Sequence, residues 1–196
     1  GAHAWGIDSG DPVLAQDNVA GLWRATAVET SPLVRYLAWF TAGATLFLSC
    51  SGGMVTSKGV GLSVPDWPTT FGYNMFFFPF SQWVGGIFFE HTHRLIASVV
   101  GFLTVILAVW LSCSSAPRWL KKLGWASLGM VILQGVLGGL RVTLMKDQIG
   151  IFHACVAQAF FALLVLIALA LSPIWQRIGS TVVRPNGPAL IRFALF

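Results

Sequence analysis

Residues 86–112 read GIFFEHTHRLIASVVGFLTVILAVWLS. The stretch is longer than the roughly 20 residues a helix needs to cross a hydrocarbon core, and almost all of it is apolar. It reads as a membrane span. Glu90, His91, His93 and Arg94 interrupt it near one end. At the centre of a span an ionisable side chain costs about 2.5–3.5 kcal/mol on insertion scales, so such residues mark function by default.

Three further apolar runs, at about 33–55, 123–144 and 149–171, have similar length. The whole chain of 196 residues is 56% hydrophobic and 10% charged, where a soluble domain carries about 25% charge. Its mean hydropathy is +0.75. The expected fold is therefore all-α: an integral membrane four-helix bundle in a lipid bilayer, occupying residues 32–172. The net charge of +5 comes from basic residues scattered between the runs, not from a stripe on one face, which argues against a nucleic-acid partner. Cys50, Cys113 and Cys155 have no metal-ligand spacing and read as small hydrophobes.

Residues 1–31 are polar and lack a signal-peptide pattern, so they read as a leader outside the membrane. Residues 173–188 read as a linker, and 189–196 as the first turns of a further, truncated span. Lys and Arg concentrate in short cytoplasmic connections. Arg24 and Arg35 precede the first span, Arg118, Lys121 and Lys122 separate the second from the third, and Arg177, Arg184 and Arg192 follow the fourth. The opposite connections hold only Lys58 and Lys146. The N-terminus is thus expected in the cytoplasm, with the chain in the inner membrane of the cell.

That polarity makes residues 56–85 a long outer loop. Its glycines and prolines exclude a regular helix, while Phe71, Tyr73, Phe76, Phe77, Phe78, Phe80 and Trp83 are too apolar for a loop in water. The loop is expected on the membrane face, as an interfacial anchor or as a lid over an apolar ligand. Met145 to Gln148 read as a tight outer turn that makes spans three and four antiparallel neighbours.

The in-span polar residues all fall near the outer end. At 1.5 Å per residue, His93 lies roughly 10 Å and His153 about 6 Å below their outer helix ends. Two imidazoles at similar depth on different helices suit the two axial positions of a haem iron. Glu90 sits one turn outward of His93 on the same face. It either pairs with Arg94, four residues on, or acts as a proton acceptor and stabiliser of positive charge. Spacing leaves both readings open. His91 faces elsewhere, toward a haem carboxylate or the outer loop. Gln134 and Arg141 share a face of span three, where Arg141 could pair with a haem propionate. Gly135 and Gly139 form a small-residue face for a neighbouring helix or a flat porphyrin. Met130 and Met145 read as packing residues.

Val55-Thr56-Ser57, Val64-Pro65-Asp66-Trp67-Pro68, Glu90-His91-Thr92-His93-Arg94, Gln134-Gly135-Val136-Leu137-Gly138-Gly139 and His153-Ala154-Cys155-Val156-Ala157-Gln158 follow one another in an order that resembles the haem A synthase family. The resemblance runs from about residue 35 to 171. It implies an oxidoreductase that converts the C8 methyl group of haem O to the formyl group of haem A for cytochrome oxidase. Family members usually have eight spans in two halves related by a pseudo-two-fold axis, and this chain matches the N-terminal half. In the family that half is thought to hold the substrate haem, and the other half a haem b that relays electrons.

Carried over by position, the resemblance makes Glu90 the essential acidic residue and His93 and His153 the ligands of the haem iron. His91, Arg94 and Arg141 would be further cofactor contacts. Residues 56–85 contain no cysteine, so the loop is of the cysteine-free type. The resemblance also implies a missing C-terminal half or a second four-helix unit, and a haem O synthase and oxidase assembly factors as partners. The rival reading is a bis-histidine b-type membrane cytochrome that relays electrons without modifying haem.

Overall fold

The computed structural model describes residues 31–175. The expected leader (1–31, Ser31 apart), the linker beyond residue 175 and the stub at 189–196 lie outside the described residues. Four helices make up the fold: α1 (Pro32–Ser57), α2 (Gly85–Cys113), α3 (Arg118–Thr143) and α4 (Asp147–Ala170). All four are long and apolar enough to cross a membrane, and the chain is an all-α, multi-pass membrane bundle. Large apolar side chains such as Phe40, Phe102 and Phe152, each about two-thirds exposed, cover its outside, as a surface solvated by lipid requires.

Local chemistry sets the ends of each helix. Ser31 caps α1 by accepting a hydrogen bond from the Leu33 amide, and Pro32 occupies the first turn, where its missing N–H costs nothing. Inside α1 the hydroxyls of Thr41, Thr45 and Ser49 donate to the carbonyls four residues back. Each polar side chain is thereby satisfied without water. The helix stops at Lys58, and Gly59 follows with φ +65°, a conformation glycine adopts at no steric cost.

The start of α3 differs from the sequence expectation. Arg118, Lys121 and Lys122 read as a connection ahead of a span beginning near 123, but the helix starts at Arg118 with Pro117 as its cap. The Pro117 carbonyl accepts from the amides of Leu120 and Lys121. The three cations thus occupy the first two turns, where long side chains can reach back toward polar surroundings. Lys121 Nζ donates to the Ser112 carbonyl at 2.9 Å and ties the end of α2 to the start of α3.

Each helix packs against two others in the cyclic order α1, α2, α3, α4 and back to α1. This leaves α2 and α4 as a diagonal pair facing each other across the bundle axis. The main apolar cluster lies toward one end. Val34, Ala38 and Ala42 of α1, Leu107 and Leu111 of α2, Leu120 of α3 and Phe160, Leu164 and Ile167 of α4 form it. These residues come from the halves of the helices remote from the long loop. The half beneath the loop holds Glu90, His91, His93, Arg94, Arg141 and His153.

Candidate functional site beneath the long loop

The loop of residues 58–84 contains two short 3₁₀ turns, Met75–Phe77 and Phe80–Gln82. Its sharpest bend is the turn Thr70–Tyr73, closed by reciprocal backbone bonds of 3.0 Å between these two residues. Phe71 and Gly72 take φ +50° and +77°. Glycine does so freely, but a residue with a Cβ loses about 1–2 kcal/mol there. Asp66 offsets that strain, because its carboxylate accepts the Phe71 amide at 2.8 Å, the Gly72 amide at 2.9 Å and the Thr69 hydroxyl.

The Asp66 carboxyl feels two opposed influences. Burial pushes its pKa up, while the bonds from Gly72, Thr69 and Phe71 pull it down and win, holding it below the ordinary 3.8. A carboxyl with a depressed folded pKa stabilises the structure above its unfolded pKa, and the contribution is lost as pH falls through the folded value. The Phe71 and Gly72 amides are therefore expected to stay protected from hydrogen exchange at pH 5 and to lose protection only well below 3.8. Asp66→Asn would leave them poorly protected at every pH.

The loop is gripped from below by α2. Arg94 Nη1 donates to the carbonyls of Asp66 (2.7 Å) and Thr69 (3.1 Å). Its Nη2 donates to the Val64 carbonyl (3.0 Å) and to Glu90 Oε1 (2.8 Å). Glu90 Oε2 in turn accepts the Val64 amide at 2.9 Å. Both polar groups of the buried residue Val64 are thus held by one ion pair, and Glu90 itself is 4% exposed. Hydrogen bonds to charged groups contribute about 1.5–3 kcal/mol each, so this cluster fixes the loop firmly. Of the two roles that spacing leaves open for Glu90, pairing with Arg94 is observed, with a loop amide added.

His91 is fully buried under the loop. Its Nδ1 lies 3.2 Å from Thr70 Oγ1, and its ring packs against Phe78 and Trp83 at centroid distances of 5.1 and 4.7 Å. The loop aromatics therefore divide into two sets. Phe78 and Trp83 cover His91, whereas Phe77 and Phe80 are about four-fifths exposed.

His93 and His153 come from the diagonal helices α2 and α4 and interact electrostatically with each other. Each ring lies against a glycine of a neighbouring helix. A Cβ at Gly52 of α1 would stand 3.0 Å from His93 Cε1, and one at Gly138 of α3 would stand 3.4 Å from His153 Cε1. The Nδ1 atoms of both are buried without a hydrogen-bond partner. Gln134 of α3 donates to the His153 carbonyl at 3.0 Å, which fixes α4 at this level. Arg141 acts electrostatically on both imidazoles. It sits between the loop and α4, where a Cβ at Gly61 or Gly150 would crowd its guanidinium, at 2.8 and 3.1 Å respectively.

Gly135 and Gly139 do not work as one face. Gly139 takes the indole of Trp67, whose ring carbon would be 2.6 Å from an added Cβ, while nothing lies within 4 Å of Gly135. The pairing of Gly52 and Gly138 with the histidines has no signature in the sequence beyond the glycines themselves.

Among the described residues, no three His, Cys, Asp or Glu side chains converge as a metal centre. Two imidazoles alone do not make a cage for a bare ion. They suit an iron whose other positions are filled by a macrocycle. The glycine backing of both rings and the nearby Arg141 guanidinium are compatible with a flat, carboxylate-bearing group of that kind.

Comparison with known proteins finds relatives over the four-helix segment. Over 140 residues the chain is 31% identical to a protein named Heme A synthase from Shouchella clausii (strain KSM-K16), covering 68% of this chain and 44% of that protein. A Heme A synthase of Geobacillus kaustophilus (strain HTA426) is 27% identical over 146 residues, covering 69% and 43%. One of Lysinibacillus sphaericus (strain C3-41) is 28% identical over 141 residues, covering 69% and 45%. No protein-family model and no solved structure matches the chain. The chain spans less than half the length of these relatives. Over the segment it shares with them, it belongs to the haem A synthase family.

Proposed function

We propose that the chain holds a haem between α2 and α4 and acts as the haem-O-oxidising, N-terminal half of a haem A synthase. The observation that carries this reading is the pair of imidazoles on diagonal helices, each seated against a glycine of a neighbouring helix and each with a buried, unpartnered Nδ1. His93 and His153 would hold the haem iron, and haem O would be the substrate. The loop side of the bundle faces outward and the N-terminus lies in the cytoplasm, following the distribution of Lys and Arg.

When bound, the porphyrin iron supplies the redox centre. The chain's own residues supply the rest. Converting a methyl to a formyl group with water as oxygen source releases protons together with electrons, so a base must stand near the reacting carbon. Glu90, one turn outward of His93, is that base, and its charge steadies positive charge as electrons leave. Its bonds to Val64 and Arg94 fix the carboxylate in one place. Arg141 takes a propionate by charge-assisted hydrogen bonds. His91 is held by Thr70 and supports the loop. Arg94, with both terminal nitrogens on the loop and Glu90, positions the base. Electrons leave to an acceptor in a second four-helix unit, either a C-terminal half or a second chain.

An electron-relaying b-type cytochrome is the second reading, favoured by the engagement of both Glu90 oxygens within the protein. Pigment extraction separates the two. In cells that make haem O, expression of the chain with its companion half is expected to yield formyl-bearing haem A. Unmodified haem b as the only pigment would overturn the synthase reading in favour of the relay.

A further inference from the structure

We infer that Trp67 roofs the outer mouth of the bundle over His93 and His153 and keeps water from that pair. The inference deepens the proposed porphyrin site, and rests on it for its functional meaning. Its structural basis is independent.

Each histidine has an immediate neighbour that holds the loop. On α2, Arg94 follows His93 and binds the carbonyls of Asp66 and Thr69 on either side of Trp67. On α3, Gly138 receives the ring of His153 and the next residue, Gly139, receives the indole of Trp67. The stretch Val64–Thr69 therefore reaches from Arg94 on α2 to Gly139 on α3, each one residue along its helix from His93 or from the glycine that seats His153. Trp67 is 45% exposed, as a residue with one face on the bundle and the other outward would be. On the near side of the loop Gly61 lies against Arg141, and Ser63 lies against Gly86 in the first turn of α2. Contacts on α2 and α3 thus hold the span taut. A closed mouth keeps the local dielectric low, which strengthens every charge–dipole interaction inside and suppresses side reactions with water.

The test reads solvent access to the imidazoles directly. The full chain, in detergent and without added porphyrin, is treated with diethyl pyrocarbonate, and carbethoxylation of each histidine is followed by mass spectrometry. Trp67→Ala, and Gly139→Ala, whose Cβ would displace the indole, are expected to raise labelling of His93 and His153 by about tenfold, as a local opening would. Trp67→Phe and Gly135→Ala are expected to label like the parent chain. His91, covered by Phe78 and Trp83, serves as internal control and stays protected. Helix content by circular dichroism shows that the variants are folded.

Parental labelling of His93 and His153 in Trp67→Ala would overturn the roof. So would a parallel rise at all three histidines, which would mean general loosening of the loop. Adding ferric protoporphyrin IX to the parent chain tests the porphyrin reading separately. Absence of a Soret band with two nitrogen ligands would defeat that reading while the labelling result stands. If the band forms, Trp67→Ala is expected to release the porphyrin to apomyoglobin faster than Trp67→Phe does.

Discussion

Alanine at either His93 or His153 is expected to abolish the low-spin spectrum that ferric protoporphyrin IX acquires on binding the full chain. The two rings come from helices that face each other across the bundle axis, and neither helix carries a substitute. His91 is fully buried and held by Thr70, while Cys155 is exposed on α4. Losing one of the two proposed ligands should weaken binding by roughly a hundredfold or more, beyond what removal of an outer hydrogen-bond partner costs a metal site. The two single variants should behave alike, because each removes one of two equivalent nitrogens, and His91→Ala should keep the low-spin spectrum. Titration followed by absorbance checks all three. Retention of the parental spectrum in both His93→Ala and His153→Ala would refute the site.

Glu90 gives the second large effect, and two substitutions divide its roles. Glu90→Ala removes the acceptor of the Val64 amide and leaves the Arg94 guanidinium without its carboxylate. Breaking a buried pair in this way costs about 3–5 kcal/mol, so this variant should unfold at lower temperature and free the loop. Glu90→Gln has nearly the same shape and keeps one of the two acceptors, but carries no negative charge and cannot take a proton. It is expected to bind ferric protoporphyrin IX like the parent chain yet form haem A at least about a hundredfold more slowly, the usual contribution of a positioned base. Haem A at the parental level from Glu90→Gln, measured in cells that make haem O, would leave Glu90 only its structural part.

Much of the architecture was legible because the bilayer imposes so few solutions. Runs of spanning length must be helices, and polar residues inside them must cluster. The position of His93 and His153 toward the loop ends of their helices follows from the sequence spacing alone. What spacing could not supply was anything that depends on the path of the loop. Val64 lies 26 residues from Glu90, and no periodicity predicts that its amide returns to α2. The glycines of α3 were legible as a small-residue face, but not as separate seats for an imidazole and an indole, because their occupants come from elements distant in sequence. The start of α3 is not legible from its cations, which read as a connection, because Pro117 allows the helix to begin among them.

The main apolar cluster packs the end of the bundle remote from the loop. A porphyrin gripped between α2 and α4 would then act as a fifth packing element for the other end, and its binding free energy would add directly to the free energy of folding. At a free concentration one hundred times its Kd, such a guest raises stability by about 2.7 kcal/mol. The survival of this protein in a cell would accordingly follow the supply of its guest, with empty copies the first to reach the membrane proteases.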